Sequence, residues 1–312
     1  MTDMATRDAY GNALIELGKI NRDVVVLDAD LSQSTKTHGF SQMFPERFFN
    51  MGIAEQNLMA VAAGLARGGK IPFASTFAMF ATGRAFEIIR NAISYPQLNV
   101  KIAATHAGIT VGEDGASHQS VEDIALMRSI PGMVVLVPAD ATEAAGAIHA
   151  AAQWNGPVYI RLGRSKVPRL FEEGTPFRIG TAQVIREGSE VTLLACGIMT
   201  SAALEAAKIL GKEGISAEVV NVSTIKPLDE ETILASLGKT GCAVTAEEHS
   251  VLGGLGGAVA ELAGTFCPVP LQRVGVKDRF GESGKPDELL KAYGLTSGEI
   301  AARAREAVSQ KR

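Results

Sequence analysis

Residues 24–30, with the sequence VVVLDAD, place four apolar side chains in a row before two aspartates. A short apolar run that ends in polar residues is typical of a strand buried on both faces of a parallel sheet. Similar runs follow along the chain, at residues 71–75, 100–105, 133–137 and 158–162. Helical apolar patterns lie between them, among them residues 54–65 and 141–153. This alternation predicts an α/β fold with mostly parallel sheets covered by helices.

The same alternation occurs again in the C-terminal half of the chain. Apolar runs occur at residues 191–195, 217–222, 242–245 and 271–276, with helical patterns near residues 201–210, 230–237, 257–263 and 297–308. Prolines and glycines interrupt the pattern between residues 166 and 188, which is typical of a connecting segment. We therefore expect two consecutive domains, residues 1–170 and 190–312, joined by a linker at residues 171–189.

The composition is that of an ordinary globular protein. The 312 residues are 46% hydrophobic and 21% charged, which excludes disorder, collagen and a coiled coil as the main architecture. The net charge of −4 provides no basic surface for nucleic acid. The three cysteines are widely spaced, so they indicate neither a disulfide framework nor a metal site and suit a reducing compartment. The first residues lack the apolar core of a signal peptide. No apolar stretch reaches the length of a membrane span. We expect a cytoplasmic protein with neither nucleic acid nor membrane as a partner.

Several residues suited to chemistry follow the predicted strands of the first domain. They are Asp28, Asp30, Glu55, Phe77, His106 and Arg164. Ligands of open α/β sheets bind beyond the carboxyl ends of the strands. We therefore expect these residues to form one site, and we expect the first domain to carry the chemistry.

Most of these residues also have a purely structural interpretation. Glu55 opens a helix, where it either interacts with the helix dipole or points a carboxyl group into a cleft. Phe77 and Phe80, at a spacing of three, either pack in the core from one helical face or form a wall for a flat heterocycle. Arg161 and Arg164 are either surface charges or phosphate ligands.

Three polar or glycine-rich segments are also informative. Residues 30–34, DLSQS, fit a simple helix cap. Residues 253–257, GGLGG, fit a tight turn into a helix better than a dinucleotide site, because Val259 occupies the place of the last small residue. Residues 104–119, ATHAGITVGEDGASHQ, fit a solvated loop, a metal site or a hydrogen-bonding surface for a polyhydroxylated substrate.

Taken in order, these motifs resemble the carboxyl-terminal two-thirds of transketolase over nearly the whole chain. The matching segments are residues 28–32 (DADLS), 52–56 (GIAEQ), 76–80 (TFAMF) and 112–119 (GEDGASHQ). The glutamate turn occurs in several thiamine-diphosphate enzymes, whereas the loop that ends at Gln119 is more specific to transketolase. The resemblance implies a pyrimidine-binding domain at residues 1–170 and the transketolase carboxyl-terminal domain at residues 190–312.

The family's amino-terminal domain binds diphosphate through magnesium, with a Gly-Asp-Gly motif that is absent from this sequence. The resemblance therefore implies one subunit of a split transketolase. Its partner, a separate diphosphate-binding subunit, would hold Mg²⁺ or another divalent cation, and this chain would supply no metal ligand. The implied assembly is a hetero-oligomer, a heterotetramer of two chains of each kind.

The resemblance also implies how this chain would bind the cofactor, thiamine diphosphate. Glu55 would be catalytic, because it would hydrogen-bond a nitrogen of the aminopyrimidine ring and assist its tautomerisation. Phe77 and Phe80 would line the pyrimidine pocket. One position departs from the family pattern: a tyrosine usually lies three residues after the second phenylalanine, and here Gly83 occupies that place, beside Arg84.

The substrate residues are implied in the same way. His106 and His118 would be catalytic and would hydrogen-bond the sugar. Asp114 would contact a substrate hydroxyl, and Ser34 and Arg164 would bind the sugar phosphate.

The implied reaction is the transfer of a two-carbon ketol unit from a ketose phosphate to an aldose phosphate, in the pentose phosphate pathway of carbohydrate metabolism. The beta subunit of a 2-oxoacid dehydrogenase is an alternative, although it usually has a different Gly-His-Ser segment in place of the histidine-containing loop. Deoxyxylulose-phosphate synthase usually begins this loop with Asp-Arg-Ala-Gly instead of the Thr-His-Ala-Gly of residues 105–108. A non-catalytic regulatory subunit with the same fold is a further alternative.

Overall fold

The computed structural model describes residues 3–311, which form two large sheets and one two-stranded sheet. The strands, in chain order, are β1 (Met4–Ala5), β2 (Val24–Asp28), β3 (Phe48–Asn50), β4 (Ile71–Phe77), β5 (Lys101–Thr105), β6 (Val134–Leu136), β7 (Val158–Arg161), β8 (Lys166–Val167), β9 (Gln183–Arg186), β10 (Val191–Ala195), β11 (Ala217–Asn221), β12 (Thr224–Lys226), β13 (Ala243–Ser250) and β14 (Leu271–Val276).

The same residues form twelve α-helices, two π-helical turns on either side of α5, and short 3₁₀ turns. The α-helices are α1 (Thr6–Ile20), α2 (Ser32–Thr35), α3 (His38–Met43), α4 (Glu55–Arg67), α5 (Phe86–Ile88), α6 (Asp123–Ser129), α7 (Ala141–Gln153), α8 (Met199–Lys212), α9 (Glu230–Thr240), α10 (Leu255–Phe266), α11 (Pro286–Ala292) and α12 (Ser297–Ser309). The π-helical turns are Phe80–Arg84 and Ile89–Ser94, and the 3₁₀ turns are Pro45–Arg47 and Ile109–Val111.

The first large sheet has the strand order β12-β6-β7-β5-β4-β2-β3. All neighbouring strands are parallel except β12 and β6. Side chains alternate between the faces of a strand, so Val24 and Val26 pack with helices α1 and α7. Val25 and Leu27 pack on the opposite face with helix α4. Because both faces are covered, strand β2 is buried throughout, which explains its continuous apolar sequence.

The second large sheet has the order β14-β13-β10-β11-β9, with only β9 antiparallel to its neighbour. Helices α8 and α12 cover one face, and helices α9 and α10 cover the other. Strand β9 lies inside residues 171–189, where the sequence predicts only a linker. It escaped detection because it is a partly exposed edge strand and lacks a continuous apolar run.

The two large sheets share one buried apolar cluster. Leu27 and Ile102 of the first sheet belong to the same cluster as Leu194 and Val220 of the second. Strand β12, from the C-terminal half, also adds an antiparallel edge to the first sheet. The expected fold class, two consecutive units with mostly parallel sheets covered by helices, is confirmed. Within residues 3–311, no helix combines the length and the apolar character needed to cross a membrane.

Candidate active site

The candidate residues lie at one edge of the first sheet, where five neighbouring strands have their carboxyl ends. Strands β7, β5, β4, β2 and β3 lie in this order. Phe77 is the last residue of β4, His106 directly follows β5, and Arg164 follows β7. Parallel strands end at the same edge of a sheet, so residues distant in sequence meet there.

Four rings form the centre of this site. Phe77 and Phe80 are stacked with ring centroids 6.0 Å apart, and the His106 ring lies 3.8 Å from Phe77. The His118 ring approaches Phe80 edge-on at 5.3 Å. The helical face that a spacing of three would allow is not formed, because Phe77 ends a strand and Phe80 begins a π-helical turn. The two phenylalanines nevertheless meet and offer a flat apolar surface.

Glu55 lies at the first position of helix α4, with only 2% of its side chain exposed. Its Oε2 accepts a hydrogen bond of 2.8 Å from the Arg84 Nη1. The Arg84 guanidinium is half exposed and lies 5.0 Å from the centroid of the Phe80 ring. A helix-dipole interaction does not require a carboxylate to be buried, and burial of a charge is costly unless it is paired. Arg84 therefore pairs with the buried Glu55 carboxylate and also contacts the Phe80 ring. The neighbouring Gly83 has no side chain that could make either contact.

His106 is a buried, neutral imidazole in a strained backbone conformation. Its φ angle of 57° lies in the left-handed region, which a non-glycine residue seldom adopts. Its Nε2 lies 3.1 Å from the Arg7 Nη1, and its Nδ1 lies 2.9 Å from the Thr105 hydroxyl. Because an arginine only donates, Nε2 must accept and Nδ1 carries the proton. Burial, together with the charges of Arg7 and Arg164, lowers the pKa of His106 to about 3.

Arg7 also belongs to the site, although no sequence pattern indicates it. Besides contacting His106, its Nη1 donates a hydrogen bond of 3.0 Å to the backbone carbonyl of Ser34. Arg7 lies in helix α1, ahead of the first long strand, so the rule of carboxyl strand ends does not point to it. Its contact with His106 spans 99 residues of sequence, and only the folded chain reveals it.

The charged end of the site combines an arginine with an acidic loop. Arg164 donates a hydrogen bond to the carbonyl of Val111, and its Nη1 lies 3.4 Å from the Asp114 carboxylate. Glu113 lies at 4.0 Å from the same nitrogen. Arg164 and Asp114 are both partly exposed, so both remain accessible to a ligand.

Three candidates from the sequence have structural partners instead. Asp28 is buried, and its carboxylate accepts from the Leu31 N–H at 2.6 Å and from two threonine hydroxyls of the following segment. This arrangement shapes the turn that carries Ser34. Asp30 accepts from the Asn50 amide at 2.8 Å. Arg161 is buried and donates to Asp123 at 2.8 Å, so its guanidinium is engaged within the protein.

Of the glycine-rich residues 253–257, only 253 and 254 form the expected turn, and residues 255–257 already belong to helix α10. The carboxylate of Glu247 accepts hydrogen bonds from the backbone N–H groups of Leu255 and Gly256, at 2.7 and 2.8 Å. A Cβ atom at Gly254 would overlap this carboxylate. The helix N-terminus is therefore already occupied by a side chain of the protein itself. Across the described part of the chain, no three His, Cys, Asp or Glu side chains are grouped to hold a metal ion.

Comparison with known families agrees with this architecture. Residues 2–169 match the family described as transketolase, pyrimidine binding domain, and residues 180–300 match transketolase, C-terminal domain. The chain therefore belongs to the transketolase family, whose members depend on thiamine diphosphate.

Several relatives match this chain over nearly their whole length. A putative transketolase C-terminal section from Methanocaldococcus jannaschii is 54% identical over 96% of this chain and 95% of its own. A 6-deoxy-6-sulfo-D-fructose transketolase subunit from a Clostridium species is 47% identical over 98% of this chain and 95% of its own. A solved structure described as a split gene transketolase, inactive beta4 tetramer, is 60% identical with a TM-score of 0.94, covering 99% of this chain and 100% of the other.

Proposed function

We propose that this chain is the pyrimidine-binding subunit of a thiamine-diphosphate-dependent transketolase that acts together with a separate diphosphate-binding subunit. The observation that carries the proposal is the buried Glu55 carboxylate, which Arg84 connects to the stacked rings of Phe77 and Phe80. This combination lies within the part of the chain that matches the pyrimidine-binding family. The description of relatives as sections and subunits of split enzymes supports the two-subunit arrangement.

The residues present fit the aminopyrimidine part of the cofactor. Phe77 and Phe80 provide a flat apolar surface, and Glu55 provides a buried carboxyl group to hydrogen-bond a ring nitrogen and hold a proton there. The bound cofactor would supply the reactive carbon for ketol transfer. The diphosphate and its divalent cation, Mg²⁺ or another, would be held by the partner subunit.

The opposite end of the site fits a polyhydroxylated, anionic substrate. His106 is neutral, and its Nε2 acceptor, which faces Arg7, would bind a substrate hydroxyl in place of that arginine; His118 and Asp114 add further hydrogen-bonding groups. Arg164 and Ser34 would bind the phosphate, and the Arg7 guanidinium, which contacts the Ser34 carbonyl, adds a second positive charge. These residues would orient a ketose phosphate donor and an aldose phosphate acceptor.

The test is a ketol-transfer assay on this chain co-purified with its diphosphate-binding partner, supplied with thiamine diphosphate and Mg²⁺. One relative is named for a sulfonated sugar, so the donors should include both phosphorylated and sulfonated ketoses. Transfer of two carbons to an aldose phosphate supports the proposal. Turnover of 2-oxoacids instead would favour the dehydrogenase alternative, and an assembled complex without turnover would favour a regulatory subunit.

We expect Glu55→Gln to lower turnover by about 10²-fold or more, because an amide cannot exchange a proton with the ring nitrogen as a carboxylate can. The measurement is kcat in complexes whose assembly has been checked by sedimentation. Glu46→Gln is the matched control, since Glu46 is an exposed glutamate that pairs with its neighbour Arg47. Full activity of an assembled Glu55→Gln complex would contradict the assigned role and leave the helix-dipole interpretation.

A further inference from the structure

One of the contacts between the C-terminal domain and the histidine-containing loop, residues 104–119, is made by a buried carboxylate. Glu248 lies on strand β13, with 3% of its side chain exposed. Its Oε1 accepts a hydrogen bond of 2.7 Å from the backbone N–H of Thr110. Thr110 follows His106 by four residues, in the loop of the first domain. The two bonded residues are 138 positions apart in sequence, so this bond connects the domains directly.

The loop is shaped around this carboxylate. His106 and Gly108 both have positive φ angles, of 57° and 83°. A Cβ atom at Gly108 would overlap the carboxyl carbon of Glu248, so only glycine allows the loop to pack this closely. A non-glycine residue in the left-handed region persists only where surrounding contacts hold it. The Glu248 carboxylate is such a contact, because it packs against Gly108, two residues after His106, and binds the Thr110 N–H.

Glu248 is itself held in place from the first domain. The Arg161 Nη2 donates a hydrogen bond of 2.8 Å to the Glu248 carbonyl, and its Nη1 lies 3.8 Å from the carboxylate. Asp123 fixes the other side of the guanidinium at 2.8 Å. Burial raises the pKa of Glu248, and the positive charge of Arg161 opposes this rise. The arginine therefore orients the carboxylate and compensates its charge.

We infer that Glu248 is a positioning residue for His106, holding the loop backbone so that the imidazole stays against Phe77 and Arg7. The C-terminal domain would then contribute to catalysis without touching the substrate. Small displacements of a catalytic group are costly, which gives this remote contact a measurable effect on turnover. The inference rests on the proposed function, because kcat for ketol transfer is one of its readouts.

The first experiment is a double-mutant cycle in the assembled complex, with His106→Ala, Glu248→Ala and the double variant. We expect Glu248→Ala to lower kcat by about 10- to 100-fold in the wild-type background. In the His106→Ala background it should lower kcat by less than about twofold, because the imidazole it positions is gone. Glu248→Gln keeps an acceptor for the Thr110 N–H and should recover most of the lost kcat.

The second readout does not depend on activity. Hydrogen exchange measured by mass spectrometry should be faster in the peptide that contains Thr110 when Glu248 is replaced by alanine. Glu247→Ala is the matched control, since Glu247 is the adjacent buried carboxylate but binds helix α10 instead of the loop. It should lower stability while leaving kcat and exchange at the loop near the wild-type values.

The outcomes separate this inference from the proposed function. Additive losses in the cycle, or unchanged exchange at the loop in Glu248→Ala, overturn the positioning role and leave the transketolase proposal intact. A wild-type complex without ketol transfer overturns both.

Discussion

At the scale of single residues, the protonation state of His106 is the feature most open to measurement. Its folded pKa of about 3 is depressed below the ordinary value of 6.5 by burial and by the charges of Arg7 and Arg164. Between these two values the unfolded chain binds a proton that the folded chain does not. Stability from the neutral imidazole is therefore complete above about pH 6.5 and is lost as the pH falls toward 3.

This loss of stability as the pH falls gives a prediction for His106→Asn. The free energy of unfolding of the wild type, relative to the variant, should decrease by about 2 kcal/mol between pH 7 and pH 5, because only the wild type has this imidazole to protonate on unfolding. Urea denaturation at both pH values, in the same oligomeric state, measures the difference. The same substitution at His149, which pairs with Glu16 outside the site, is the control for replacing a histidine as such. Parallel curves for His106→Asn and the wild type would show that the imidazole is not held neutral.

The proposed phosphate contact of Arg164 gives a second prediction at this scale. Arg164→Ala should lower kcat/KM for phosphorylated sugars far more than for unphosphorylated analogues, since a charge-assisted bond contributes about 1.5–3 kcal/mol. Steady-state kinetics with paired substrates measures the ratio. Arg169→Ala removes an arginine that pairs with Glu173 and should not alter the ratio. Equal losses for both substrate classes would assign Arg164 a structural role instead.

At the scale of elements, helix α7 shows how one cap joins two segments. The Oδ1 of Asp140 accepts from the Glu143 N–H at 2.8 Å and so caps the helix. Its Oδ2 accepts from the N–H groups of Leu170 and Phe171 at 2.7 and 2.9 Å. The buried carboxylate therefore fixes both the helix and the chain that leaves the first sheet.

We expect Asp140→Ala to cost about 2–3 kcal/mol of unfolding free energy, because a cap and two further backbone donors lose their acceptor. Thr296→Ala is the comparison, since Thr296 caps helix α12 through a single bond to the Glu299 N–H and should cost only about 1 kcal/mol. Denaturant unfolding of both variants measures the two costs. Similar costs would mean that the bonds to residues 170 and 171 contribute little.

The elements predicted well from the sequence are those whose pattern follows from burial on both faces. Strand β10 agrees with its predicted bounds, and β2 extends only one residue further, because continuous apolar runs identify such strands. Strands β3 and β9 escaped detection because each is partly exposed at a sheet edge. Local pattern records burial and periodicity, and an edge strand shows neither clearly.

The same difference between local sequence pattern and tertiary packing decides which site residues could be predicted. Glu55, Phe77 and His106 were expected at one edge because each follows a strand, and the structure places them there, while their roles stay predictions. Arg7 and Glu248 were not found, because one lies in the helix before the first long strand and the other on a strand of the other sheet. Their contacts with the histidine loop depend on tertiary packing alone.

At the scale of the whole molecule, the shared apolar cluster makes the two sheets one unit around the site. Leu27 and Leu194 belong to this cluster, and Arg161 and Glu248 add a buried ion pair between the same halves. The pyrimidine side of the proposed cofactor site is therefore rigidly built within this chain. The diphosphate side is proposed to lie on the partner subunit, so neither chain alone would hold the whole cofactor.

We therefore expect this chain alone to show no ketol transfer, even with thiamine diphosphate and Mg²⁺ present. A close structural relative is itself described as an inactive beta4 tetramer. Adding the diphosphate-binding subunit should restore activity. The activity should saturate at equal amounts of the two chains, because a heterotetramer with two copies of each chain then forms. Titration of activity, with the mass determined by analytical ultracentrifugation at each ratio, measures both quantities. The Glu55→Gln chain is the control for assembly, since it should give the same mass with little turnover. Robust turnover by the rigorously purified single chain would show that it binds the cofactor without a partner, and saturation at another ratio would contradict the proposed stoichiometry.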